Sequence, residues 1–179
     1  YNIDGYRFDF TKGFTNTPGD GGTYDASRIQ ILKRMTDEIR EVDSAAYVIL
    51  EHFAPNTEEK DLAEYGMMIW GNLNYNYSEA AMAYNESGKS NFKGISYQQR
   101  GWEVPHLVGY MESHDEERLM YKNLQFGNSI PDGEYDITDF TTALFRIEQA
   151  AAFFFTIPGP KMIWQFGEMA YDFSIDYNG

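Results

Sequence analysis

Three short apolar runs in this chain each close on a carboxylate. They are Gly5-Tyr6-Arg7-Phe8-Asp9, Val48-Ile49-Leu50-Glu51 and Tyr110-Met111-Glu112-Ser113-His114-Asp115. Runs of this length and residue type read as strands, so each acid falls at a strand's carboxyl end. In the first run Arg7 and Asp9 stand two apart, and side chains two apart on a strand share a face. A carboxylate beside a guanidinium in a packed setting is costly unless the two are hydrogen-bonded, so such pairs mark sites more than generic cores.

Between these runs the pattern alternates. A helix is predicted over 24–42, where Ile29, Leu32, Met35 or Thr36, Ile39 and Val42 recur at helical spacing and Asp25 or Ser27 can cap the start. A strand over 46–51 follows, then a helix over 57–65 opened by Thr57 and a brief strand over 66–70. A helix over 77–86, a loop over 85–103 and a strand over 106–111 come next. A long apolar helix over 137–155, capped by Thr138 or Asp139, is broken by Pro158-Gly159-Pro160, and a last strand runs over 162–166. The order βαβαβαβαβ implies a parallel sheet covered by helices. An open doubly wound sheet would more often carry a glycine-rich phosphate turn directly after its first strand. Gly19 to Gly22 come some ten residues past that strand end and lack the fingerprint. Carboxylates at the carboxyl ends of three different strands favour a barrel instead. The expected fold is therefore α/β, a partial parallel (β/α) barrel made of about the last five of eight βα units and spanning 1–179. A strand at the very start and another shortly before the end suggest a piece of a longer protein.

The 179 residues carry 28 acids against 14 Lys and Arg, a net charge of −14. That excess disfavours a phosphate-binding surface, so nucleic acid and anionic membrane are poor partners. With no cysteine, disulfides and thiolate metal sites are excluded. Aromatic residues make up 17% of the chain, which suits stacking on flat neutral ligands such as sugar rings and equally suits core filling.

Four segments together resemble the α-amylase family of glycoside hydrolases (family 13). Gly5-Tyr6-Arg7-Phe8-Asp9-Phe10-Thr11-Lys12 resembles that family's fourth-strand motif, and Glu51 its fifth-strand acid. Ser113-His114-Asp115 resembles the seventh-strand motif, and Gly167-Glu168 after Trp164 the segment following the eighth strand. The order matches, with 42 residues from Asp9 to Glu51 and 64 from Glu51 to Asp115. The resemblance implies an α-1,4-glucan substrate, whether starch, glycogen or maltooligosaccharide, and cleavage that retains anomeric configuration. Asp9 would be the nucleophile, Arg7 would keep it ionised, and Glu51 would be the general acid and then the base. Asp115 and His114 would hold sugar hydroxyls, and Lys12 would bind an acceptor-side sugar. Retention calls for carboxyls about 5–5.5 Å apart. Trp102, in a polar loop, is the best stacking candidate.

Each residue also has a plain structural reading. Arg7 and Asp9 can be an ion pair, Glu51 can cap a turn, and His114-Asp115 can open a helix. His52 and His106 read as packed or hydrogen-bonded histidines, and Glu112 is left out as free to face outward. The family uses no organic cofactor. Many members hold a structural calcium partly through the carbonyl of the residue after the lysine. That residue is Gly13 here, the other ligands are missing, and calcium is therefore doubtful. Within the family, a transglycosylase such as a branching enzyme is the alternative; outside it, a non-catalytic carbohydrate-binding protein. Open barrel edges would also allow self-association.

Overall fold

Helices separate successive strands as the patterning predicts, with two between the last pair, in a computed structural model that describes residues 3–130, 133 and 135–177. Positions 1 and 2 of the expected opening strand lie outside the described residues. The elements are β1 (Gly5–Phe8), α1 (Ala26–Val42), β2 (Tyr47–Leu50), α2 (Asn56–Glu64), β3 (Met68–Asn72) and α3 (Asn74–Ala81), followed by β4 (Leu107–Tyr110), α4 (Leu119–Phe126), α5 (Phe140–Thr156) and β5 (Lys161–Met162). The strands form one all-parallel sheet in the order β1-β2-β3-β4-β5. The chain divides into two compact units, Tyr1–Trp70 with Tyr97–Val108, and Gly71–Ser96 with Gly109–Gly179.

In the first unit, Gly5 pairs with Tyr47 and Phe8 with Leu50, while Leu50 pairs in turn with Ile69. The pairing is close at its start: a Cβ on Gly5 would lie 2.3 Å from the Tyr47 carbonyl oxygen, so no other residue fits there. Phe8, Val48, Leu50 and Ile69 share one face of the sheet and pack with Ile29 and Leu32 of α1 and Leu62 and Ala63 of α2. Asp25 caps α1, accepting from the Ser27 and Arg28 N–H groups, which satisfies two of the orphan donors at its start. Val42, expected in the core, closes the helix and is exposed.

One charged contact ties this unit together. Arg28 on α1 and Glu58 on α2 are both fully buried. The guanidinium grips the carboxylate with two bonds, Nε to Oε1 at 2.6 Å and Nη2 to Oε2 at 2.9 Å. Its Nη1 donates to the Lys12 carbonyl at 2.6 Å and its Nη2 also to the Thr23 carbonyl at 3.0 Å. A buried ion pair stands only when its remaining hydrogen-bonding sites are satisfied, and here they are.

The second unit has its own cluster, built from Leu73, Tyr77 and Ala81 around α3, Ile95, Leu119 of α4, and Ala150 and Phe154 of α5. Tyr77 stacks on Phe92 at 4.3 Å and meets the Phe154 ring edge-on at 5.7 Å. Helix α3 starts three residues earlier than predicted. Helix α4 is not foreseen by the sequence pattern; it buries Leu119, Met120 and the amide Asn123 on a single face. It stops at Gly127, where a Cβ would sit 2.4 Å from the Asn123 carbonyl oxygen and 2.6 Å from Ile137. Helix α5 is capped by Asp139, which accepts from the Thr142 N–H. The last strand is shorter than expected: β5 is two residues, paired Gly109 with Lys161 and Tyr110 with Met162.

Replacing Arg28 with Met strands Glu58 as a buried charge without its partner. Arg28→Met is expected to cost about 3–5 kcal/mol, read as a lowered urea midpoint. Adding Glu58→Leu to the same protein should recover part of that loss.

Candidate functional site

Parallel pairing continues one step past β1 and β2. After the Phe8–Leu50 pair, the Glu51 N–H donates to the Phe8 carbonyl at 3.0 Å and the Thr11 N–H donates to the Glu51 carbonyl at 2.8 Å. Asp9 and Glu51 therefore leave the sheet side by side, on the face opposite the apolar cluster. Arg7 lies on that same face, with its guanidinium 5.1 Å from the centre of the Trp70 ring.

Arg7 serves both carboxylates. Its Nη1 donates to Asp9 Oδ1 at 2.9 Å, and its Nη2 lies 2.8 Å from Glu51 Oε2. The second contact is an ion pair whose angle does not make a hydrogen bond, so Nη2 and Nε are buried without one. The two carboxyls differ sharply in access to water: the Asp9 side chain is 76% exposed and that of Glu51 9%. Burial pushes the Glu51 carboxyl above its ordinary pKa; the Phe10 N–H, donating to Oε2 at 3.1 Å, pulls it back. Asp9 then adds to the rise by hydrogen bonding and like charge, against the opposing charge of Arg7. The pair thus consists of one open carboxyl and one sheltered carboxyl that holds its proton more readily. Opposed environments of this kind divide acid from nucleophile in carboxylate pairs.

The turn that follows is unusual. Phe10 has φ 45° and ψ 46°, in the left-handed region, where a residue with a Cβ is strained. Lys12 is half-buried, its Nζ 5.3 Å from the centre of the Phe10 ring and its carbonyl bonded by Arg28.

His114 and Asp115 belong to the second unit. They lie in the bend between β4 and α4 rather than in a first helical turn, with His114 Nε2 3.3 Å from Asp115 Oδ1. The buried Ser113 hydroxyl accepts from the Asp115 N–H at 3.1 Å and donates to Glu116. The His114 ring centre is 6.0 Å from that of Trp164. Glu112 does not face outward. It is buried, its Oε1 accepts the Leu119 N–H at 2.7 Å at the start of α4, and burial pushes its pKa up. Trp102 is no open platform: it packs in the first cluster, donates its indole N–H to Asn56 at 3.0 Å, and carries the Arg100 guanidinium 4.5 Å above its ring.

The residues present do not by themselves fit a calcium site. The Gly13 carbonyl accepts the Thr15 N–H at 2.8 Å. Among the described residues no group of three or more His, Cys, Asp or Glu side chains is placed to hold a metal. Residue patterning alone passes over the buried partners behind Glu51, namely Thr11, His52, Glu58 and Arg28. The one available signal is that Thr11 and His52 each closely follow a strand-ending acid. No protein-family model matches the chain, and no curated protein matches it.

The environment of Glu51 gives a signed expectation. Asp9→Asn removes a like charge and should lower the Glu51 pKa, whereas Arg7→Met removes an opposite charge and should raise it. Carbon NMR titration of the carboxyl reads both. Because the folded pKa is raised, this group's stabilisation is complete below its unfolded value of about 4.3. It is lost as pH rises through the folded value, and Glu51→Gln should remove that slope from the unfolding free energy.

Proposed function

We propose that this chain carries the catalytic pair of a retaining glycoside hydrolase acting on α-1,4-glucans, set on the later units of a (β/α) barrel. The observation that carries this reading is the single guanidinium of Arg7 shared between an exposed Asp9 and a buried Glu51 whose pKa is pushed up. Parallel α/β architecture with both acids at strand carboxyl ends supports it. Both carboxyls meet the same guanidinium, Asp9 at 2.9 Å from Nη1 and Glu51 at 2.8 Å from Nη2, and closely set carboxyls suit the double-displacement route.

Asp9, ionised and open, attacks the anomeric carbon as Glu51 gives its proton to the departing glycosidic oxygen. The bond to the leaving sugar breaks and a glycosyl ester of Asp9 forms. Glu51, now a carboxylate, takes a proton from water, whose oxygen attacks the same carbon and releases Asp9. Arg7 holds the pair in register and stabilises whichever carboxylate is charged. For Asp115, His114 and Lys12, the roles of sugar binding rest on the motif resemblance.

The test is cleavage of maltooligosaccharides with the anomer followed by proton NMR. Glu51→Gln should lower kcat by about 10²–10⁴-fold, and Asp9→Asn should abolish the covalent step. Retained configuration with both losses supports the reading. Inversion, or full activity in either variant, overturns it.

A further inference from the structure

Behind the Glu51 carboxyl runs a buried chain of polar groups that the proposed reaction does not use. The Glu51 carbonyl accepts the Thr11 N–H at 2.8 Å and lies 3.0 Å from the Thr11 hydroxyl. The same hydroxyl is 2.9 Å from His52 Nδ1, and His52 Nε2 is 2.8 Å from Glu58 Oε1. Glu58 is the carboxylate gripped by Arg28, whose Nη1 returns to the carbonyl of Lys12, the residue after Thr11. Thr11, His52, Glu58 and Arg28 are all without solvent exposure. The circuit is closed, and it anchors the turn that leaves β1.

Donor counting fixes how it works. Burial works against ionising Glu58, but bonds from Arg28, the Asp25 N–H and His52 outweigh it and hold its pKa below the usual range. Glu58 is thus an acceptor only, and Nε2 of His52 must carry a proton to face it. Burial lowers the His52 pKa, so Nδ1 is the bare nitrogen and shares the Thr11 hydroxyl proton with the Glu51 carbonyl, to which that hydroxyl also donates at 3.0 Å. Glu58 and Arg28 on α2 and α1, and Lys12 on the turn, are the charged groups that act on this imidazole. Thr11 is therefore held from two sides: its N–H by Glu51, its hydroxyl by His52.

The residue so anchored adjoins Phe10, whose N–H lies on Glu51 Oε2 and whose left-handed backbone would relax if released. We propose that His52 is a positioning residue, acting through the Thr11 hydroxyl to keep the β1 exit turn, and with it the Phe10 N–H, on the Glu51 carboxyl. This rests on Glu51 as the acid of the proposed reaction, but the coupling itself is a property of the free protein.

The experiment compares Thr11→Val and Thr11→Ser with the parent chain. Valine keeps the shape and the backbone bond and removes only the hydroxyl; serine restores the hydroxyl. Two readouts are taken, carbon NMR titration of the Glu51 carboxyl and the pH dependence of kcat and KM on a maltooligosaccharide. With Val, loosening of the Phe10 N–H should raise the Glu51 pKa by about half a unit or more. It should also move the alkaline limb of kcat by the same amount with KM unchanged, and Ser should return both. His52→Leu should shift the titration in the same direction. An unchanged Glu51 titration in folded Thr11→Val, or a shift that Ser does not reverse, overturns the proposal. The titration needs no substrate. Inverted configuration together with the shift defeats the glycosidase reading and leaves this one standing; retaining cleavage without the shift does the reverse.

Discussion

Arg28 has no solvent access, and a guanidinium in that position must have its donors satisfied by the protein. Here Glu58 takes two bonds and the carbonyls of Lys12 and Thr23 one each, so every nitrogen of the group has a partner. Those partners come from helix α2, from the turn after β1 and from the segment ahead of α1. One side chain therefore sets the spacing of two helices and the path of the chain leaving the first strand. The apolar cluster supplies the bulk of the burial, but burial is indifferent to direction. Direction comes from the guanidinium fork, whose planar donors accept one arrangement of acceptors.

The first unit contains a second guanidinium with a different task. Arg7 is partly exposed and shared by two carboxylates rather than committed to one. Arg28 makes a carboxylate permanent; Arg7 leaves the proton of Glu51 in balance between burial, which favours it, and charge, which opposes it. A fully buried ion pair thus lies behind a partly exposed one, and the first holds the segment from which the second projects.

Much of this could be read from residues alone, because it depends on period and capping. The face shared by Arg7, Asp9 and Glu51 follows from alternation along two parallel strands. Asp25 and Asp139 stand where caps were expected, since a short carboxylate beside a helical period has one economical use. Helix α4 is not legible in the pattern because its inner face includes an amide, Asn123, and because the acids from Asp115 to Glu117 mask its start. The burial of Glu112 and Trp102 is hidden for a related reason. Polarity of sequence neighbours suggested exposure, while tertiary partners, the Leu119 N–H for one and Asn56 with Arg100 for the other, drew both inside. The circuit from Thr11 to Arg28 joins residues from three separate segments, and no local pattern announces that they meet.

The left-handed turn at Phe10 carries an implication for the order of assembly. Left-handed backbone costs a residue with a side chain about 1–2 kcal/mol, against which residues 5–13 set the Gly13 N–H on the Phe10 carbonyl at 2.9 Å and Lys12 over its ring. The groups that fix it, the carboxyl and carbonyl of Glu51, lie some 40 residues on and reach it only when β1 and β2 are paired. The turn is thus a late-forming element: strand pairing must close a loop containing the whole of α1 before Phe10 can settle. The geometry that brings Asp9 beside Glu51 is accordingly a property of the paired strands, not of the opening segment alone.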